Sequence, residues 1–218
     1  FCPRSKEQVE EFKDSMFSEE DDRFTFFWNN RNARRKQSGT LIHWFNEFAE
    51  EVGPDNVRLI MHTDPTDVHG QDLVAIMENI GATDNRILIS DQKVPPDALA
   101  QIVNMTGGLQ EQVTDGENWF GIGIEPASKA IIGSQEVPYI HEDRLNKEDF
   151  LDALRKMYHM SDEDRKALGQ AGREHVIKNY NFADFEKKWV DLMDHIHEKY
   201  GSWENRKNHK AWTFEEVA

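Results

Sequence analysis

One cysteine, Cys2, stands among 218 residues, so no disulfide can form within the chain and its fold has to rest on an apolar core. Nor is there an apolar run near the roughly 20 residues that a bilayer-spanning helix needs, or a basic-then-apolar leader at the start. These absences predict a protein without an integral membrane segment, working in a reducing compartment, read here as cytoplasmic. Positive charge is scarce as well: 26 Lys and Arg stand against 41 Asp and Glu, a formal net charge of −15. Nucleic acid and anionic membrane are therefore excluded as general partners, because each needs an extended basic face. Low-complexity tracts and solenoid-type repeats are missing too, which leaves one medium domain, or one domain and a tail.

Against that acidic background, four cations fall within six residues: Arg31, Arg34, Arg35 and Lys36 in Asn30-Arg31-Asn32-Ala33-Arg34-Arg35-Lys36. A local basic cluster in an acidic chain suits a small anion. Thr106-Gly107-Gly108-Leu109-Gln110-Glu111-Gln112-Val113 offers a Gly-Gly turn ahead of a short helical stretch, where unpaired amides attract negative charge. Together the two segments point to a phosphate-bearing ligand.

Periodicity supplies the frame. Phe24 to Trp28 reads as a strand, and Ser38 to Val52 places Leu41, Ile42, Phe45, Phe48 and Val52 on one helical face, stopped by Gly53. Val57 to Met61 is a second strand, Asp72 to Ile80 a second helix ending at Gly81, and Arg86 to Ser90 a third strand. Pro95-Pro96 followed by Asp97 to Gln101 reads as the start of a third helix. Alternation of this kind predicts an α/β fold with a doubly wound parallel sheet, Rossmann-like. Trp119 to Ile124 is a possible further strand and Pro126 to His141 is irregular. Helices follow over Glu148 to Met160, from the capping box at Ser161 to about Lys178, and through Phe182, Phe185, Trp189, Leu192 and Ile196. The expected division is 1–22 as a linker or N-terminal segment, 23–200 as the binding domain and 201–218 as an extended tail packing by its aromatic residues.

In an open parallel sheet, ligands bind beyond the carboxyl ends of the strands, and Asn29 to Lys36 lies there. Arg31 can fork onto two phosphate oxygens and Lys36 can add a point charge, which would neutralise a diphosphate; the alternative is a solvated basic loop. His62, Asp64, Asp67, His69 and Asp72 cluster in the same way after the second strand. Their irregular spacing around Pro65 and Gly70 reads as turns and caps and not as a metal site. His195 and His197, two apart on a helix, face different ways and read as surface residues. Glu111 either touches a sugar hydroxyl or caps its helix.

The chain resembles the C-terminal, nucleotide-sugar-binding half of a GT-B glycosyltransferase, similar to the family 4 retaining enzymes. Asn30-Arg31-Asn32 and Lys36-Gln37 stand where that family has G-R-L and K-G, with both glycines missing. Thr106-Gly107-Gly108-Leu109-Gln110-Glu111-Gln112-Val113-Thr114-Asp115-Gly116-Glu117-Asn118 resembles T-G-G-L-P-E-V-V-x-D-G-E-N, with Gln110 in place of proline. Leu168 to Glu174 and Tyr180-Asn181-Phe182 resemble the closing helices, so the likeness covers most of Phe24 to Ile196. It implies that Arg31 and Lys36 hold a donor diphosphate, that Thr106, Gly107, Gly108, Leu109 and Glu111 form the donor phosphate and sugar loop, and that Ser90 and Asp91 seat the base. It implies a nucleotide-diphosphate sugar as substrate, no metal, no other cofactor, and a glycan, lipid or protein acceptor whose identity stays open.

One departure is large. Between the third strand and T-G-G-L the family carries a further βαβ stretch with an E-G-F-G turn and a second Glu, on the order of 30 residues. Here almost nothing lies between, and the seam falls near Ala100. The block is either lost from the gene or missing from this particular chain. Phe1-Cys2-Pro3-Arg4 resembles the linker before the family's C-terminal half, so the acceptor-binding half is expected to be absent and this chain alone to transfer nothing. The leading expectation is thus a retaining glycosyltransferase donor domain. The alternatives are a non-catalytic Rossmann-like nucleotide-sugar-binding or scaffold domain, and a GT-B-type sugar-nucleotide epimerase.

Overall fold

The structure is a computed structural model and describes residues 5–17, 21–91, 114–133, 135 and 137–207. It divides into two compact units, Phe1–Gly169 and Gln170–Ala218. The first opens with a helix, α1 (Lys6–Met16), and then runs through two strand-helix steps and a third strand: β1 (Phe24–Asn29), α2 (Ser38–Val52), β2 (Val57–His62), α3 (Leu73–Asn79) and β3 (Ile87–Ser90). A 3₁₀ turn, Arg34–Lys36, connects β1 to α2.

The three strands form one parallel sheet in the order β1-β2-β3. The mixed α/β class with a parallel sheet and C-terminal helices is the one expected from the alternating pattern. β2 lies in the middle and is buried at five successive positions, Val57 to Met61, so it reads as a continuous apolar run broken only by Arg58. Arg58 is tolerated there because its guanidinium pairs with Asp21 and lies 4.0 Å above the Phe17 ring.

α2 forms over the residues its periodicity marks. It buries Ile42, Phe45, Phe48 and Ala49 against Leu59, Met61, Leu73 and Ile87. Phe26 meets Phe45 and Phe48 edge-on at 5.8 Å for both rings. Gly53 ends α2 with φ of 97°, a conformation that disfavours any side chain. Asp72 starts α3 by accepting from the Ala75 amide at 3.0 Å.

Beyond β3 the structure departs from two expectations. Trp119 to Ile124 is not a strand: Trp119 makes a single antiparallel bridge to Thr114, closing a turn in which Asp115 accepts from the amides of Glu117 and Asn118. Within the stretch read as irregular, β4 (Ser128–Ile131) pairs antiparallel with β5 (His141–Arg144). Those strands are short and mostly polar, with neither apolar alternation nor a two-residue turn, so they lack a periodic signal. Pro95 to Gln101 lies outside the described residues.

The last three helices are α4 (Lys147–His159) and α5 (Asp162–Asn179), each within a residue of the expected bounds, and α6 (Phe182–Tyr200), which runs four residues past the last marked position, Ile196. Ser161 caps α5 by accepting from the Asp164 amide at 3.1 Å and donating to its carboxylate at 2.7 Å. α4 adds Leu151 to the core and packs on α2, where Arg155 forks onto Glu51. In the second unit, α6 carries Phe182, Phe185 and Trp189 in sequence along one stripe, with ring centroids 6.1 and 6.2 Å apart. Among the described residues that stripe is exposed.

Candidate functional site

Each strand of the sheet changes character at its last residue. Trp28, Met61 and Ile89 belong to the core or pack against it, and the next position on each strand is polar: Asn29, His62 and Ser90. The register aligns these three in one row, Asn29 opposite His62 and His62 opposite Ser90. A polar edge across adjacent parallel strands at their carboxyl ends is where an α/β sheet offers its ligand crevice.

A cavity of about 220 Å³ opens there. Asn29, Asn30 and Arg31 line it from β1, His62, Thr63 and Asp64 from β2, and Ser90 and Asp91 from β3. His62 Nδ1 and Ser90 Oγ are 3.0 Å apart, and the Thr63 amide donates to the Ser90 carbonyl at 3.0 Å, which holds the β2 and β3 ends together. Thr63 is 7% exposed, and its buried hydroxyl has no hydrogen-bond partner among the described residues. An orphaned hydroxyl costs on the order of 1–3 kcal/mol.

The β1–α2 and β2–α3 loops are locked together by Asn32, which is fully buried. Its amide donates to the carbonyls of Gln71 at 2.7 Å and Pro65 at 3.3 Å, and its Oδ1 accepts from the Ser38 hydroxyl at 2.9 Å and the Gln71 amide at 3.3 Å. Gly70 passes so close that a Cβ there would sit 2.0 Å from the Asn32 carbonyl oxygen. Arg34 adds a backbone bond to the His69 carbonyl at 3.0 Å. Asn32 is the residue that motif reasoning missed as a partner: it stood only as the position of an expected leucine.

Arg31 reaches over this junction. Its Nε and Nη2 donate to the two Asp67 oxygens at 2.6 and 3.1 Å, a bidentate pair. Asp67 Oδ1 also accepts from the His69 amide at 2.8 Å. The Arg31 hydrogen bond first, and the His69 amide second, hold the Asp67 carboxyl down at about 2, while Asp67 in turn raises Arg31. Arg34, Arg35 and Lys36 make no ion pair with any described residue.

Of the residues nominated from sequence, Arg31, Ser90 and Asp91 line this cavity. Lys36 sits on the 3₁₀ turn and is not among its lining residues. Thr106, Gly107, Gly108, Leu109 and Glu111 lie outside the described residues. The acidic and histidine cluster after β2 makes turns and caps, as its spacing suggested: Asp64 accepts from the Thr66 amide at 2.9 Å, Asp67 from His69, and Asp72 caps α3. Among the described residues no group of three or more His, Cys, Asp or Glu could hold a metal ion. No helix among them is long and apolar enough to cross a membrane.

No protein-family model matches the chain, and no curated protein sequence matches it. Among solved structures, the fold is similar to that of a mutant of Staphylococcus aureus TarM, a GT-B glycosyltransferase crystallised with fondaparinux, α-GlcNAc-glycerol and UDP. The TM-score is 0.51 at 13% sequence identity, over 79% of this chain and 36% of that one. The chain thus spans about a third of the length of the structure it matches. At that identity the likeness shows the fold alone.

Proposed function

We propose that this chain is the donor-binding domain of a retaining, family 4-like glycosyltransferase, and that it holds a nucleotide-diphosphate sugar at the carboxyl edge of β1, β2 and β3 without a metal. One observation carries the reading. Arg31, Ser90 and Asp91, nominated from separate segments, line one cavity at the carboxyl ends of three adjacent strands. At about 220 Å³ the cavity has room for a nucleoside portion rather than for a whole nucleotide sugar, so the diphosphate would lie outward across Arg31. There the guanidinium, with Lys36 and the T-G-G-L loop, would stabilise a leaving diphosphate by charge. The acceptor, whether glycan, lipid or protein, would meet the donor in a cleft that needs a second half of the fold, so this chain alone transfers no sugar.

A second reading has its own support. The E-G-F-G block expected between the third strand and T-G-G-L is missing from the sequence, and with it the carboxylates that would contact the donor sugar. A non-catalytic nucleotide-sugar-binding or scaffold domain of the same ancestry fits that absence.

Calorimetric titration with UDP tests the shared core of both readings. Saturable binding is expected, unchanged by EDTA, and weakened about tenfold by Arg31→Ala, the size of one charge-assisted hydrogen-bond pair. Binding indifferent to Arg31, Ser90 and Asp91 substitutions would remove the proposed site. Sugar transfer from a nucleotide sugar by this chain alone would remove the claim that it is inactive by itself.

A further inference from the structure

The basic loop carries four cations, and the one that lines the cavity is the one already paired. Asp67 takes both donors of the Arg31 fork that face it, and it is held ready to do so by its own turn: its Oδ1 accepts from the His69 amide and its carbonyl accepts from the Gly70 amide at 2.8 Å. Its side chain is 11% exposed against 62% for Arg31, so the carboxylate is the buried partner and the guanidinium the exposed one.

We propose that Asp67 is a built-in competitor for the ligand's phosphate: it occupies the Arg31 fork, and a phosphate engages Arg31 only by exchanging with it. This rests on the reading of the cavity as a site for a phosphate-bearing ligand. Asp67 is then a specificity-determining residue, because it attenuates every ligand that uses Arg31 and leaves unchanged any ligand bound without it. The nucleoside part of the ligand gains weight in recognition and the phosphate loses it. A bidentate carboxylate is a fair mimic of two phosphate oxygens, and the negative charge it leaves beside a bound phosphate adds to the penalty.

The test compares inorganic pyrophosphate, UDP and uridine as calorimetric probes of the full chain carrying Asp67→Asn, Arg31→Gln or both. Asparagine keeps the oxygen that accepts from His69 and gives up the charge that holds Arg31. Pyrophosphate and UDP are expected to bind Asp67→Asn about tenfold more tightly than wild type, with uridine unchanged, and the gain should vanish in the double variant and shrink with added salt. Equal or weaker pyrophosphate binding in Asp67→Asn, or no pyrophosphate binding to either protein, overturns the proposal. A gain for pyrophosphate with no UDP or uridine binding to any variant leaves the Asp67 exchange standing and removes the nucleotide reading of the cavity. If Asp67→Asn does not fold, the Arg31 Nε–H resonance of the wild-type protein reads the same exchange: it should shift as pyrophosphate is added, and a stationary resonance overturns the proposal.

Discussion

Replacing Asn32 by leucine, the residue its motif position suggests, should destabilise the protein although leucine is apolar and about the right size. Asn32 is fully buried and makes four hydrogen bonds, two of them short: to the Gln71 carbonyl at 2.7 Å and from the Ser38 hydroxyl at 2.9 Å. Leucine leaves those two partners unpaired, at about 1–3 kcal/mol each when buried. Ser38 is 1% exposed and bears the full cost, whereas the long bonds to Pro65 and the Gln71 amide are discounted. Apolar burial of the new side chain offsets part of the loss, so the net effect should be about 2–4 kcal/mol of a total on the order of 5–15. In urea, with a slope of roughly 2 kcal/mol/M, the midpoint should fall by about 1–2 M at unchanged slope. Asn32→Asp keeps the shape but turns an oxygen towards the two carbonyls, and should lose a similar amount at pH 7. Asn30→Ala, at the cavity rim, should stay within about 0.5 kcal/mol. A loss below about 0.5 kcal/mol for Asn32→Leu would mean that the two loops are not held by this side chain.

Gly70→Ala should cost about 1–3 kcal/mol in the same assay, because its Cβ meets the Asn32 backbone oxygen at 2.0 Å and neither loop can move without disturbing the other; a neutral result would refute that close approach. Arg86→Ala should cost about 1–3 kcal/mol, less than breaking a fully buried ion pair, since its partners Asp84 and Glu50 have side chains 43% and 60% exposed and stay hydrated when the guanidinium is gone; a loss above about 4 kcal/mol would show that those carboxylates are buried. Stability should fall in acid: hydrogen bonds from Arg31 and the His69 amide hold Asp67 at about 2, amide bonds in its turn hold Asp115 at about 2, and Arg155 lowers Glu51. Each is depressed in the folded state, so the unfolded chain takes up protons first and their contribution, present above about pH 4, is lost between about 4 and 2. A melting temperature flat from pH 5 to pH 2 would contradict this.

The elements that were legible in the sequence are those whose side chains repeat with a period. α2 and α6 follow stripes at spacings of three and four, and β2 is an apolar run closed by a polar residue. Helix ends were legible for a local reason as well, in Asp72, Ser161 and the positive-φ Gly53, each of which acts within three or four residues of itself. β4 and β5 were not, because their pairing joins mostly exposed, mostly polar residues ten to sixteen positions apart and depends on neighbours and not on pattern. The strand expected at Trp119 to Ile124 failed for the converse reason: aromatic and branched residues promised a strand, while Thr114 and Asp115 offered their backbone neighbours side-chain oxygens and made a turn instead.

The candidate site was legible in its residue types and illegible in its pairings. Arg31 was nominated from its position after a strand and its capacity for charge, Ser90 and Asp91 only through the family resemblance, and all three line the cavity. That Arg31 spends its fork on Asp67, 36 positions away, follows from the parallel alignment of β1 with β2, which brings the loops after them side by side. The cluster from His62 to Asp72 read as turns and caps on spacing, yet the spacing also concealed a pairing: the turn that Asp67 makes with His69 is what aims a carboxylate at Arg31. A basic loop read in isolation thus overstates the charge available to a ligand. The acidic loop packed beside it, ordinary in composition for this chain, sets how much of that charge remains.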